Sequence, residues 1–199
     1  LFNKDSGQDY DFIIGSSNAK NLTVDNDTDR KLYYRDGDSD YNALSDAVIP
    51  QGEWVHIVIT AIADTSMTAY INGEAQTTST SMTASSVADT QLIVDRFMSG
   101  YNTSSYESLG SITEISYYAN RAIGQATINE LYNNGKALDA RDSSGASYLT
   151  HYWRNNGLAE WKDLKGSNDA NTNGVTETLL LPAGVDASRD NQGFLMNRQ

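Results

Sequence analysis

Two short acidic runs are the first candidates for chemistry. Asp25, Asp27 and Asp29 alternate along the chain, and so do Asp36, Asp38 and Asp40. Carboxylates at such spacing are hard oxygen ligands that can wrap a calcium ion. Neither run completes an EF-hand loop. Arg30 and Tyr41 stand where that loop needs Gly, and its last ligand position holds Asp36 in one run and Ala47 in the other. The competing reading is a solvated turn between strands.

The chain has two histidines, His56 and His151, without the spacing of a metal pair. No Ser-His-Asp order accompanies them. There is no cysteine, which excludes a disulfide scaffold, a thiolate metal site and a Cys nucleophile. Sugar binding needs exposed aromatic platforms beside polar side chains. Tyr101 and Tyr106, with Asn102 beside them in the loop from Phe97 to Leu109, are placed best for that role; Tyr33, Tyr34 and Tyr41 come next. Ordinary cross-strand packing is the plainer role for all of these tyrosines.

The elements that must position these residues read as strands. The 199 residues suffice for one sandwich with an extension, and the abundance of Ser, Thr, Asn and Asp suits short strands joined by polar turns. The net charge of −12 repels a phosphate backbone and an anionic lipid surface, so nucleic acid is excluded as a partner. No run of about 18 apolar residues is present, so no membrane insertion is expected. The chain opens at Leu1 without Met, which reads as a processed product or part of something longer.

Residues 11–15, 21–25 and 31–35 are β-prone runs, and Asp36-Gly37 is a hairpin signal. Trp54 to Ile62 alternates as one long strand, with Val55, Ile57 and Ile59 on one face. Thr68 to Asn72 pairs back, and Asn72-Gly73 reads as a tight turn with positive φ. Gln91 to Asp95 and Gly110 to Ala119 complete the strands. The period then becomes helical: Ile128, Leu131 and Tyr132 define a short amphipathic helix, with Gly135 at its left-handed cap. Tyr148 to Arg154 reads as one further strand, Lys165 to Gly174 as a polar loop, and Arg189 to Gln199 as an aperiodic tail.

Three of these segments carry a family likeness. Gly52-Glu53-Trp54-Val55-His56-Ile57-Val58 followed by Ala69-Tyr70-Ile71-Asn72-Gly73 resembles the central hairpin of LamG-like and pentraxin-like domains. Gly110-Ser111-Ile112-Thr113-Glu114-Ile115 resembles their closing strand, and Ala122 to Tyr132 their trailing helix. The resemblance implies an all-β fold: a two-sheet antiparallel jelly-roll β-sandwich of the concanavalin A-like class, with one short helix and an extended C-terminal segment. It implies that Trp54 is core and His56 a structural strand residue. It also makes the loop of Asp163, Asn168, Asp169 and Asn171, near the strand bearing Glu114, a second place for Ca²⁺. Thr113 stands where the family has an Asp. Glucanases of this fold carry alternating carboxylates on one strand, whereas Glu114 is alone on its own. The segment from Tyr152 to Gly174 resembles the opening strand and D-x-S-G-N-x-N loop of such domains, and its continuation, Leu180 to Gly184 and Arg189 to Phe194, resembles inter-domain segments of large phage virion and tail-associated proteins.

The expected organisation is a sandwich over 1–138 with its N-terminal strand missing, an edge strand and loop over 139–175, and a linker or docking tail over 176–199. The expected function is a non-catalytic structural or adhesive module of a virion or cell-surface assembly, at the virion surface or outside the cell. Its partners are then copies of itself or neighbouring domains. The alternative is a glycan-binding, lectin-like module, with or without calcium; a glycoside hydrolase comes a distant third. If residues 148–154 fill a sheet edge, deleting residues 146–199 lowers the melting temperature or reduces the oligomer. Thermal melting and size-exclusion chromatography of the truncated chain check this.

Overall fold

The computed structural model describes residues 2–4, 10–15, 21–25, 29–36, 40–62, 66–77, 96–99, 110–154 and 160–171. They fall into two compact units, one within Phe2–Ile112 and the other from Thr113 onward. Among the described residues the regular elements are antiparallel strands, one short α-helix and two short 3-10 helices. No helix among the described residues is long and apolar enough to cross a membrane.

The first unit is a sandwich. One layer is a sheet in the order β10-β2-β3-β4-β5, formed by β2 (Tyr10–Gly15), β3 (Asn21–Asp25), β4 (Leu32–Asp36), β5 (Asp40–Ala43) and β10 (Arg96–Phe97). Strands β2 to β5 follow one another as an antiparallel meander, with a bulge in β2 between Phe12 and Ile14. Two three-stranded sheets complete the unit. One is β11-β1-β6, from β1 (Phe2–Lys4), β6 (Trp54–Val55) and β11 (Gly110–Ile112); the other is β7-β8-β9, from β7 (Ile57–Ile62), β8 (Ser66–Ile71) and β9 (Glu74–Ala75). Strand β1 lies between β11 and β6 and pairs antiparallel with both.

Alternation builds the core. In β8, Met67, Ala69 and Ile71 are buried while Ser66, Thr68 and Tyr70 are not, the period of two that a half-buried strand requires. These residues pack with Val55 against Ile13, Leu22, Val24, Leu32 and Tyr34 of the five-stranded sheet, and with Leu44 and Ile49 after it. Burying apolar side chains from both layers is the dominant favourable term for such a unit.

The run from Trp54 to Ile62 is not one strand. It breaks at His56, because Trp54–Val55 pairs with β1 whereas Ile57–Ile62 pairs with β8. The change of partner is held by Asn72. Its side-chain Oδ1 accepts the His56 N–H at 2.9 Å, and its own N–H donates to the His56 carbonyl at 2.9 Å. Asn72 and Gly73 have φ of 51° and 84°, the paired left-handed residues of a tight hairpin turn between β8 and β9.

The second unit contains β12 (Ile115–Tyr117) paired with β13 (His151–Trp153), and the hairpin of β14 (Glu160–Trp161) with β15 (Ala170–Asn171). Helix α1 (Gln125–Tyr132) buries Ile128 and Leu131 and ends at Asn133, whose left-handed φ of 46° takes the cap that was assigned to Gly135. The expected strand over 91–95 and the tail over 176–199 lie outside the described residues.

Burial holds the His56 imidazole well below its ordinary value of 6.5, at about 3. Between these values the unfolded chain binds a proton that the folded chain does not. Acidification therefore favours unfolding, with a slope approaching about 1.4 kcal/mol per pH unit for this one group. Replacing His56 by Gln removes that contribution. Melting curves at pH 7 and pH 4 should show a smaller acid-induced fall for the variant than for the parent chain.

Candidate functional site

The strand expected over 110–119 is interrupted, and the interruption organises the second unit. Glu114 takes a left-handed φ of 55°, so the chain leaves β11 and re-enters as β12. A non-Gly residue holds this conformation only where its surroundings fix it. Here Arg154, 3% exposed, donates from Nε to Glu114 Oε1 at 2.6 Å and from its terminal nitrogen to Oε2 at 3.1 Å. The Tyr152 hydroxyl also donates to Oε2. A second carboxylate, Asp139, lies 3.5 Å from Arg154 and is itself held by Arg141 at 2.6 Å.

The electrostatics follow from burial and pairing. Desolvation pushes the Tyr152 hydroxyl up, and the adjacent Glu114 charge pushes it further. Desolvation works against the Arg154 charge, but hydrogen bonding and attraction to Glu114 outweigh it and raise the group overall. Burial likewise opposes ionisation of Asp139, yet the hydrogen bonds from Arg141 hold it below the carboxylate range. Both carboxylates of the network are engaged by arginine.

A second network lies at the tip of the β14–β15 hairpin. The Asp163 side chain is 0% exposed. Its Oδ1 accepts the N–H groups of Tyr152 (3.1 Å), Lys165 (3.2 Å) and Gly166 (2.8 Å). Its Oδ2 accepts from Asn168 N at 3.0 Å and faces His151 Nδ1 at 2.6 Å. Burial opposes the Asp163 charge, but these donors overcome it and keep the carboxyl well below its usual range. Asp169 closes the loop: Oδ1 accepts the Asp163 N–H at 2.9 Å and Oδ2 pairs with Lys162 at 2.7 Å.

These placements revise the residues singled out in the sequence. Asp163, Asn168 and Asp169 do share a loop, but they do not fit a calcium cage. The Asp163 oxygens are committed to N–H donors, and Asn168 contributes its main chain, its carbonyl accepting Trp153 Nε1 at 2.7 Å. Glu114 is ion-paired with Arg154 in the other network, and Tyr152 bonds to both it and Asp163. Asp29 serves the β3–β4 connection, accepting from Lys31 N at 3.1 Å and Tyr33 Oη at 3.0 Å. Asp25 ends β3 opposite Tyr10, and Asp27 lies outside the described residues. Among the described residues no cluster of three His, Asp or Glu is arranged to hold a metal ion.

The tyrosines divide similarly. Tyr34 is 1% exposed in the core, opposite Leu22, and cannot present a face to a sugar. Tyr33 is half-buried, with its hydroxyl on Asp29. Tyr101, Asn102 and Tyr106 lie outside the described residues.

A different aromatic set emerges from the strand register. Tyr117 and His151 are directly opposed across β12 and β13, and Trp153 follows two residues along the same face. The rings of Tyr117 and His151 lie 6.0 Å apart, and those of His151 and Trp153 stack at 5.5 Å with 19° between their planes. The alternation His151-Tyr152-Trp153 was the sequence signal. The partner Tyr117 was hidden because the register had not been drawn.

An antiparallel sandwich whose strands share one core, followed in the chain by a short helix, is the architecture of a concanavalin A-like β-sandwich. The model of the concanavalin A-like lectin/glucanases superfamily matches residues 2–129, and the chain belongs to that superfamily. Among solved structures, it is similar to a candidate carbohydrate binding protein from Bacteroides ovatus, at 20% identity and a TM-score of 0.61. The similarity covers 93% of this chain and 54% of that one, so this chain spans about half the length of that neighbour. No curated protein matches the chain in sequence.

Replacing Glu114 by Gln leaves Arg154 with one counter-charge in a buried place. Breaking such a pair costs about 3–5 kcal/mol. Urea denaturation should show a loss of that order, whereas Glu130→Gln, whose carboxylate accepts from Ser144 N at an exposed position, should stay within about 1 kcal/mol of the parent.

Proposed function

We infer that this chain is a non-catalytic, lectin-like carbohydrate-binding module acting outside the cell or at the surface of an assembly. The observation that carries this reading is superfamily membership over residues 2–129. The solved neighbour, itself a candidate carbohydrate binding protein, supports it. Glycans are then the partners, and copies of the chain or adjoining domains supply the multivalency that weak sugar sites need. Nothing in the family or the neighbour speaks for the virion scaffold, so the glycan-binding alternative takes its place.

The non-catalytic part of the reading rests on the carboxylates. Glycoside hydrolysis requires two of them flanking the bond, one able to donate a proton to the leaving oxygen. Glu114 and Asp139 are buried and both ion-paired with Arg154, which keeps them out of reach of substrate.

A glycan array paired with a reducing-sugar assay tests the reading. Selective retention of a glycan subset without sugar release is the expected result. Release of reducing ends, or no binding to any glycan at millimolar concentration, would falsify it.

A further inference from the structure

The imidazole of His151 is oriented more tightly than a surface ring needs to be. Its ring stacks on Trp153, meets Tyr117 on the opposing strand, and has Nδ1 2.6 Å from Asp163 Oδ2. Gly166 closes this corner: a Cβ there would lie 2.5 Å from both Asp163 Oδ2 and His151 Nδ1. Trp153 is fixed in turn by the Asn168 carbonyl.

This geometry places a proton on His151 Nδ1. The carboxylate of Asp163 is ionised and accepts only, so the imidazole nitrogen facing it carries the proton. The other nitrogen, Nε2, is then the one left to meet a ligand, as an acceptor in the neutral ring and as a donor in the cation. Nε2 meets no protein partner among the described residues, and it is not among the buried polar atoms without one. A polar atom of fixed direction therefore stands open beside Tyr117, a residue 39% exposed.

An exposed aromatic ring next to one directional polar atom is the arrangement that recognises a sugar: the ring takes the apolar face and the polar atom reads a hydroxyl. Holding both in place beforehand removes ordering cost on binding. The charge argues for an uncharged ligand. At −12 the chain repels carboxylate- or sulfate-bearing glycans, and Lys162 at the loop is already paired with Asp169.

We propose that Tyr117 and His151 form the sugar-contacting platform of this module, with a neutral pyranose lying on the Tyr117 ring and one of its hydroxyls hydrogen-bonded to His151 Nε2. The proposal rests on the carbohydrate-binding reading above. Asp163 and Gly166 are positioning residues in it. Tyr148 is more exposed, at 46%, but the Arg121 guanidinium covers one face of its ring at 4.0 Å, which makes it the natural control.

The test is affinity gel electrophoresis of the full chain in soluble β-glucan, xylan, galactan and mannan, with heparin as the acidic probe. Thermal melting of each variant is recorded alongside. At least one neutral polysaccharide should retard the chain. Tyr117→Ala and His151→Phe should each weaken that binding by about tenfold or more, the factor that about 1.4 kcal/mol of lost contact produces. Tyr117→Phe, which keeps the ring, and Tyr148→Ala should bind as the parent does. Should His151→Phe melt early, Tyr117→Ala decides alone, because its side chain is exposed. Retardation unchanged by Tyr117→Ala overturns the platform and leaves the carbohydrate-binding reading standing. Retardation by heparin alone overturns the ligand class, and no retardation in any gel removes both the platform and the reading beneath it.

Discussion

A guanidinium taken out of water must be neutralised where it lies, and in the second unit that requirement falls on Arg154. Its demand for carboxylates brings Glu114 and Asp139 together from opposite ends of the segment between β12 and the capped turn at Asp139. Meeting it pulls Glu114 into a left-handed conformation, which ends one strand and starts another. The new strand β12 takes β13 as its partner, so the register opposing Tyr117 to His151 follows from the same ion pair. Desolvating such a charge is expensive and its pairing offsets that cost without a large surplus. The network therefore specifies a backbone path more than it adds stability.

Asp163 works by another rule. Its five N–H donors include four from the main chain, supplied by Tyr152, Lys165, Gly166 and Asn168. A carboxylate surrounded in this way shapes the loop through the backbone alone, as capping residues do at helix ends. Its remaining donor is His151, so the side chain that folds the hairpin tip also orients the imidazole. Through Tyr152, whose N–H serves Asp163 and whose hydroxyl serves Glu114, the two networks share a residue.

Much of the fold was legible in the residues. The run Asn21–Asp25 is a strand with those bounds, the Asn72-Gly73 turn joins β8 to β9, and the superfamily resemblance is shown by its match over 2–129. Two long strands were misread for one reason. Alternation records which face is buried but not which sheet a strand belongs to, so the breaks at His56 and Glu114 left no trace in the pattern. The break at Glu114 depends on a partner 40 residues away. The candidate site was harder to see. Counting oxygen ligands drew attention to the Asp163 loop, yet the N–H groups that satisfy Asp163 have no residue type. Tyr34 looked like a platform because sequence gives no depth. Tyr117 was passed over because its pairing with His151 exists only in the register.

The main-chain character of the Asp163 loop has a consequence for how this surface changes over generations. Its shape needs the Asp163 carboxylate, the absence of a side chain at Gly166 and the Asp169 contact to Asp163 N. The side chains of Lys165, Ser167 and Asn168 point into water and none of them is needed for the bonds that hold the turn. A loop encoded so sparsely can be rewritten at its tip while its frame persists. Variation there would retune whatever meets the rim of the aromatic face, with the imidazole still aimed in the same direction.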